Sequence, residues 1–520
     1  MKPFRFNLTA STHLVAAFWL LPQLVQAEDY YQKTKGYRVE PEPDPPSYVR
    51  NLSKTQFEQF RDIEWLDVGL DFRSRYEYRE NDLRRRNDPN NPVATALASP
   101  NTYRSDPDNI WLLRTRAYLG VKNILDPLRF AVEFQDSRSY NSIYEKTSDT
   151  DNEFELIQGY GELYFENALG HNRPLSIRAG RQSLELLDRR LIGNNQFRNT
   201  TNNFEGYRVR FGKKQNNWDL DTFALQPVER YQQEFDQPDE DTWIYGAVLS
   251  IKEWSDFITL QPYFLGRKVN GDPKNRVSAN RKADMDIYAP GLRLYGVVPD
   301  TGFDYDGDIN KQFGRFGSLT GTTPANYSQN LYQQSALAYS LEVGYTFDHT
   351  WKPRAIVFYG YGSGDKNAGD KINQRFDSFY GFNQPWSRND YFSWDNIHAP
   401  KARLEFNPYK DVAVDFGYNA YWLDSETGGW NRESLTDNSG QSGSFIGHEF
   451  DIRLRHKLNG YVDWSLSYAR FTPGDYTERR NGLTSANAVS RSGPYTTEPS
   501  NFFYFEVNVN AFGDGKPKYN

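Results

Sequence analysis

A short alternating pattern that recurs along the chain is the feature that most constrains its fold. Residues 68–78 read VGLDFRSRYEY, and a β-strand here would place Leu70 and Phe72 on one face and Arg73 and Arg75 on the other. About eighteen segments follow this rule, each close to the ten residues of a tilted membrane strand. Further examples lie at 112–122, 128–134, 205–212, 400–406, 411–422, 449–457 and 502–512. The pattern predicts two-sided strands, apolar on one face and charged on the other.

The links between these segments alternate between tight turns and long polar stretches. A tight turn lies at 212–217, for example, whereas long polar stretches lie at 79–108, 313–334 and 363–396. Outer-membrane barrels have short periplasmic turns and long extracellular loops, and a soluble β-sandwich has no reason to keep this alternation. We therefore predict an all-β fold, a transmembrane antiparallel β-barrel of about 18 strands, over residues 65–512.

The composition is compatible with a barrel in spite of its low hydrophobicity. Hydrophobic residues make up only 38% of the chain, aromatic residues reach 16%, and cysteine is absent. Beyond the N-terminal segment there is no apolar run of the roughly 18 residues that a membrane helix needs. Barrel strands carry their apolar signal at every second residue, so a hydropathy scan does not detect them.

Both ends of the chain lie outside the predicted barrel. Residues 1–27 combine two early basic residues, an apolar stretch and a small residue at Ala27, which predicts a cleaved signal peptide. Localisation in the outer membrane of a Gram-negative cell follows from this export signal and the barrel. The prolines and charges of 28–64 predict an extended periplasmic tail, and 513–520 form a C-terminal extension.

Arginine dominates the charged faces of the strands. Arg or Lys facing lipid at the midplane would cost roughly 2 to 4 kcal/mol, so charge marks the lumen. Acidic residues share these faces, which leaves two interpretations: a salt-bridged wall that stiffens the barrel, or arginines that bind carboxylates of a passing chain. The prevalence of Arg over Lys favours the second, because the planar guanidinium fits a carboxylate. The predicted pore-lining, substrate-binding residues are Arg73, Arg75, Arg114, Arg116, Arg129, Arg178, Arg208, Arg210, Arg293, Arg403, Arg453 and Arg455.

Several motifs resemble the alginate outer-membrane export family. They are SIRAGRQSLEL (176–186), NTTNNFEGYRVRF (199–211), FDYDGDINKQFGRFG (303–317), YGYGSGDKNAGDKINQRFDSFYG (359–381), and GHEFDIRLRHKL with YARFTPGDY (447–476). The resemblance implies an eighteen-stranded channel with an Arg-lined constriction and occluding loops. By position it assigns pore roles to Arg178, Arg181, Gln182, Arg208, Arg210, Arg453 and Arg455. Since Arg181 shares the parity of Ile177, we expect it above the lipid or at a bulge.

The predicted function is export of an anionic, alginate-like exopolysaccharide by passive diffusion. The alternatives are an uptake porin for small anionic or sugar solutes and a secreted, soluble carbohydrate-binding protein. Segments 79–108 and 363–396 are the candidate occluding loops because of their length. Expected partners are the anionic polysaccharide, outer-membrane lipid and lipopolysaccharide, and a periplasmic scaffold lipoprotein of an export complex.

Other chemistries find little support in the sequence. The acidic run DYDGD (304–308) lacks the glycine and glutamate spacing of an EF-hand, and the histidines show no metal-ligand spacing. No motif pairs a nucleophile with a base, so an enzyme and a cofactor are not expected. The basic cluster at 82–91 stands alone in a chain of net charge −7, which argues against nucleic acid.

Overall fold

The computed structural model describes residues 41–83, 107–143, 146–272, 282–321, 323, 326–430, 435–482 and 498–513. The predicted signal peptide, the first part of the predicted tail (28–40) and residues 514–520 of the predicted extension lie outside the described residues. So does most of the candidate occluding loop 79–108.

Eighteen long strands form a single closed sheet. In chain order they are β1 (Leu66–Glu80), β2 (Asp108–Leu125), β3 (Leu128–Tyr140), β4 (Asn152–Phe165), β5 (Leu175–Gln182), β6 (Phe204–Phe211), β7 (Trp218–Glu229), β8 (Thr242–Ser255), β9 (Ile258–Val269), β10 (Met285–Val297), β11 (Phe303–Thr320), β12 (Ser328–Thr346), β13 (Arg354–Gly362), β14 (Ile397–Tyr409), β15 (Val412–Trp422), β16 (Phe445–Lys457), β17 (Val462–Pro473) and β18 (Ser500–Asn510). Two-residue strands lie at Arg50–Asn51, Gln237–Pro238 and Ile372–Asn373, and an eight-residue helix spans Asp475–Gly482.

Each long strand pairs antiparallel with the next, and β1 pairs with β18 to close the cylinder. At this seam Asp71 lies opposite Asn510 and Ser74 lies opposite Val507. Closure leaves no free sheet edge, which is the condition for a sheet to cross hydrocarbon. The prediction of an antiparallel barrel of 18 strands is confirmed. In the part of the chain that is described, no helix has the length and apolar character needed to cross a membrane.

The two faces of the sheet differ as the alternation predicts. Outward side chains such as Phe72 and Leu119 are exposed at 40% and 52%, whereas the intervening Arg73 and Arg116 are buried. Aromatic contacts lie toward both ends of the strands, for example the rings of Phe303 and Tyr345 at one end and those of Tyr288 and Phe313 at the other. An apolar outer belt between aromatic girdles is typical of outer-membrane barrels.

Links that follow even-numbered strands lie at one end of the barrel, here termed the turn rim, and the others lie at the loop rim. The turn-rim links are 126–127, 166–174, 212–217, 256–257, 298–302, 347–353, 410–411 and 458–461. At the loop rim, only part of the stretch 313–334 is a loop, and the rest belongs to β11 and β12. β11 and β12 remain paired as far as Thr320 and Ser328. The sequence pattern does not reveal this end of the hairpin, because paired strands that extend beyond the lipid need no alternation of apolar residues.

Two loop-rim connections fold into the barrel and carry much of its buried apolar core. Loop A (residues 183–203) joins β5 to β6, and loop B (residues 363–396) joins β13 to β14. The two loops meet where Gly193 and Tyr380 are joined by a backbone hydrogen bond of 3.0 Å. Their buried apolar residues include Leu184, Leu186, Leu191, Phe376, Trp386, Phe392 and Trp394. The interior therefore contains a packed core supplied by loops as well as charged walls.

Part of the predicted N-terminal tail also lies inside the barrel. The tail segment (residues 41–51) pairs with β1 at Arg50–Asn51 and then crosses the lumen from the turn rim. Tyr48 of this segment is fully buried, and its hydroxyl donates to Glu133 on β3 at 2.6 Å. The prolines predicted an extended segment, whereas its position inside the barrel depends on charges far away in sequence.

The seam can be tested by cross-linking, because the chain has no native cysteine. Ser74→Cys with Val507→Cys should form a disulfide, since directly opposite strand residues lie within disulfide reach. The measurement is a reduction-sensitive mobility change of the unfolded chain on a denaturing gel. Ser74→Cys with Val509→Cys, two residues out of register, should cross-link far less; equal yields would contradict the register.

Candidate functional site

The interior arginines of β1 and β2 hold loop A. Arg73, Arg75 and Arg114 all donate to backbone carbonyls of residues 196–198. The two contacts of Arg73 measure 2.9 and 2.7 Å, and those of Arg75 and Arg114 measure 2.6 and 3.2 Å. Loop A thus reaches through the lumen from β5 and β6 to the wall formed by β1 and β2. The three side chains point into the interior, where all of them bind the backbone of loop A.

Loop A adopts this course through local backbone features and one asparagine. Leu187, Arg189 and Asn195 have positive φ angles of 54°, 67° and 57°, which let the segment turn back on itself. The side-chain amide of Asn199 donates to the carbonyls of Leu113, Arg138 and Thr150 at 2.8 to 3.2 Å. These contacts fix the far end of the loop against β2 and β3.

Loop B is fixed mainly to β15 and β16. Arg388 donates to Asp415 and Asp451 at 3.1 Å each, and its backbone N–H donates to Glu449 at 2.6 Å. The ring of Phe392 stacks on Tyr421 with centroids 3.7 Å apart. The candidate 363–396, chosen for its length, therefore lies inside the barrel. Loop A, which length did not single out, lies there as well.

A partly open cavity of about 570 Å³ lies between loop A, the tail segment and the turn rim. Its wall comes from β1 to β10, and its floor includes residues 41–46. Cavities of this size bind small ligands in many proteins. Six predicted arginines line it: Arg116, Arg129, Arg178, Arg208, Arg210 and Arg293.

Arg178 on β5 and Arg210 on β6 are diagonal neighbours and share two carboxylates. The Asp44 carboxylate lies 3.0 Å from Arg178 and 2.9 Å from Arg210. Glu162 completes the ring at 3.2 and 3.0 Å. Burial alone would raise the pKa of Asp44, but the neighbouring guanidiniums outweigh it and hold that pKa below its ordinary value. Asp44 is therefore ionised in this position.

The other cavity arginines differ in how their charge is balanced. Arg293 pairs with Asp306, and Arg116 lies 3.2 Å from Asp71 and 4.6 Å from the ring of Tyr48. Arg129 is the exception. Its guanidinium stacks over Tyr164 at 3.6 Å and makes no ion pair with any residue that the structure describes.

The remaining predicted arginines lie outside this cavity. Arg453 and Arg455 approach Asp415 at 3.2 and 3.6 Å, which places them beside the seat of loop B. Arg403 contacts Glu405 on its own strand. Arg453 and Arg455 thus share Asp415 with Arg388 of loop B, and Arg403 shares Glu405 with Arg354, so all three have acidic partners within the chain.

Arg181 takes a different position from the other predicted pore residues. It shares the strand face of Ile177, as its parity indicates, and lies at the loop-rim end of β5. Its guanidinium donates to Glu155 at 2.9 Å and to the carbonyl of Asp236 at 3.0 Å, beside a register shift between β3 and β4. Arg181 therefore joins β4 to the β7–β8 connection and does not line the described cavity; the neighbouring Gln182 is buried.

Some interior charges were missed by the sequence analysis. Arg354, the first residue of β13, pairs with Asp304, Glu342 and Glu405. Both faces of β13 are apolar beyond Arg354, with Ile356 and Phe358 on one and Val357 and Tyr359 on the other, so alternation gave no signal for this residue. Arg388 and Asp44 lie on segments without strand periodicity, so parity gives no information about them.

The acidic run at 304–308 faces the interior. Asp304 and Asp306 pair with Arg354 and Arg293, and Asp308 accepts a hydrogen bond from Tyr263 at 2.6 Å. Within the described ranges no group of three or more His, Cys, Asp or Glu side chains is arranged to hold a metal ion.

Comparison with known proteins identifies the family. A family model described as alginate export matches residues 64–490. The chain belongs to the alginate export family. The comparison with curated proteins gave no match.

Solved structures of other proteins share the barrel at low sequence identity. Pseudomonas aeruginosa OccK8 (OprE) has 10% identity and a TM-score of 0.52, over 85% of this chain and 98% of that one. Pseudomonas aeruginosa OpdQ (12%) and Acinetobacter baumannii OccAB1 (11%) each give a TM-score of 0.51, over 86% of this chain and 97% of theirs. These similarities establish the fold alone. The family and the closed barrel with its apolar outer belt make this chain an outer-membrane channel.

The attachment of loop A to the wall yields a prediction. Arg73→Met removes the hydrogen bonds that Arg73 itself donates to residues 196–198, while Arg75 and Arg114 keep theirs and Glu506 keeps Arg75 as a partner at 3.2 Å. Losing charged hydrogen bonds worth about 2 kcal/mol should speed amide hydrogen exchange in loop A by roughly thirtyfold. Arg208→Met, whose partner Asp221 is on the wall, should leave exchange in loop A unchanged; a similar rise in both variants would contradict the assignment.

Proposed function

We propose that this channel exports an anionic, alginate-like exopolysaccharide by passive diffusion through its arginine-rich interior. The turn rim would face the periplasm and the loop rim the outside, the orientation of barrels with short periplasmic turns. Family membership supports the polymer class, and the interior arginines supply the chemistry that recognises it. A signal peptide at 1–27, lipopolysaccharide at the outer rim and a periplasmic scaffold lipoprotein belong to the same proposal.

The observation that carries this proposal is the placement of arginines at successive levels of the interior. They run from Arg178 and Arg210 near the turn rim, through Arg116, to Arg73 and Arg75 beneath loop A. A polyuronate presents one carboxylate on each sugar ring, and a guanidinium can bind it through two parallel hydrogen bonds. Such a chain could exchange one arginine for the next as it advances.

The acidic residues beside the arginines favour release of a bound substrate carboxylate over its retention. Glu162 and Asp71 already share the guanidiniums of Arg178 and Arg116, so a substrate carboxylate competes with an internal one at each step. A conducting pore needs sites that are occupied easily and left easily. Interior carboxylates weaken each contact without removing the local positive charge.

Arg129 offers the sharpest test because its loss leaves no described carboxylate without its partner. In planar bilayers, short oligouronates added on the turn-rim side should reduce the anion current. Arg129→Gln should raise the half-blocking concentration about fivefold, the effect of losing about 1 kcal/mol of attraction. Arg315→Gln, on an exposed outer side chain, is the matched control. A neutral oligosaccharide of equal length should block neither protein.

The same recordings separate export from uptake. A channel narrowed by loops A and B should show a small anion current, on which the block is measured, whereas an uptake porin for small solutes should show a large, steady current. Steady current with equal block by neutral and acidic sugars would refute the export proposal. Loss of extracellular uronic acid polymer after deletion of the gene, and its recovery on complementation, is the corresponding test in cells.

A further inference from the structure

The tail segment occupies a place in the lumen where the wall alone is not charge-balanced. The mouth cluster comprises three guanidiniums and two wall carboxylates: Arg178, Arg208, Arg210, Glu162 and Asp221. Arg208 binds Asp221, while Arg178 and Arg210 share Glu162. The wall therefore has one positive charge in excess, and Asp44 of the tail segment supplies the missing carboxylate.

The wall also has a shaped seat for Tyr48. Gly69, on the interior face of β1, has no side chain, and a Cβ there would lie 2.6 Å from the Tyr48 ring. The hydroxyl of Tyr48 donates to Glu133, and the guanidinium of Arg116 lies over the same ring. Asn510, the last residue of β18, donates to the carbonyl of Tyr48 at 3.2 Å. The tail segment is thus bound by three separate parts of the barrel.

The tail segment continues beyond the mouth cluster to loop A. The backbone N–H of Glu42 donates to the carboxylate of Glu185, near the start of loop A. The tail segment, which enters from the turn rim, is therefore in contact with loop A, which enters from the loop rim. Removal of the tail segment would free both the mouth cluster and one attachment of loop A.

We propose that the mouth cluster is the entry site for a substrate carboxylate, and that Asp44 occupies it as a tethered competitor in the closed channel. This inference rests on the proposed function and adds to it the site at which a hexuronate first binds. Asp44 and a uronate carry the same functional group, so both make the same contacts with Arg178 and Arg210. Because the tail segment is tethered, its effective concentration is high, and a polymer with many carboxylates is suited to displace it.

The pKa of Asp44 sets the pH range of this closed state. Since its pKa is lowered when docked, docking is favoured whenever the free carboxyl is ionised. The contact weakens only as the pH falls below the ordinary carboxyl range, whose reference value is 3.8. Closure by the tail segment should therefore persist at neutral pH.

The test compares Asp44→Asn and Gly69→Leu with the native full chain in planar bilayers. The first removes the competing carboxylate, and the second blocks the Tyr48 seat without changing any charge. Both should raise the basal conductance and lower the half-blocking concentration of an oligohexuronate, added on the turn-rim side, by about tenfold. Asp62→Asn, an exposed acid of the same region, should behave as the native protein. The heat-dependent gel mobility of each variant verifies that the barrel has formed.

The outcomes separate this inference from the proposed function. Unchanged conductance in both variants would overturn the role of the tail segment. A conductance rise without tighter oligohexuronate block would overturn the shared site. If both effects appear but gene deletion leaves polymer secretion intact, the entry site stands and the export function fails.

Discussion

The need to pair every backbone polar group in hydrocarbon governs the rest of this structure. Only a closed cylinder meets it with strands, and closure through β1 and β18 leaves each strand with one lipid face and one interior face. Charged side chains must then point inward. The many arginines in the interior are thus a consequence of the fold as much as of function. The partners of each arginine determine whether its side chain is available to a substrate.

Those partners differ in kind along the barrel. Near β13 to β16 the arginines meet carboxylates, as Arg354 does with three of them. Beneath loop A, Arg73 binds neutral carbonyls at 2.7 and 2.9 Å and lies 3.8 Å from Glu506, a carboxylate that it shares with Arg75, so two guanidiniums there have one acidic partner in common. Buried ion pairs add little stability because desolvation offsets their attraction. The carboxylate and carbonyl partners of these arginines hold loops A and B inside the barrel and leave a positive electrostatic potential in its interior.

The sequence predicted the features that follow from the two-residue period of a strand. It did not predict the positions of segments that depend on contacts with residues distant in sequence. Alternation alone placed Arg73 and Arg116 on the interior face, because a strand of fixed parity cannot turn them outward. The length of 363–396 drew attention to loop B, but loop A has no unusual length. Its leucines, such as Leu184 and Leu191, were the available signal: apolar residues in a polar link need something to cover them. Nothing local indicates that Asp44 meets Arg178, since 134 residues separate them and their attraction acts only after closure.

On the proposed role of the tail segment, one barrel is shut to small solutes and still admits a long polyanion. A small anion meets the mouth cluster with a single carboxylate and competes with a tethered one of equal chemistry, so it rarely gains entry. A polymer brings many carboxylates on one chain, and each loss of contact is followed by another from the same molecule. Multivalency, and not affinity at any single arginine, is then the property that distinguishes the substrate. On this proposal, interior contacts that are individually weak are collectively selective.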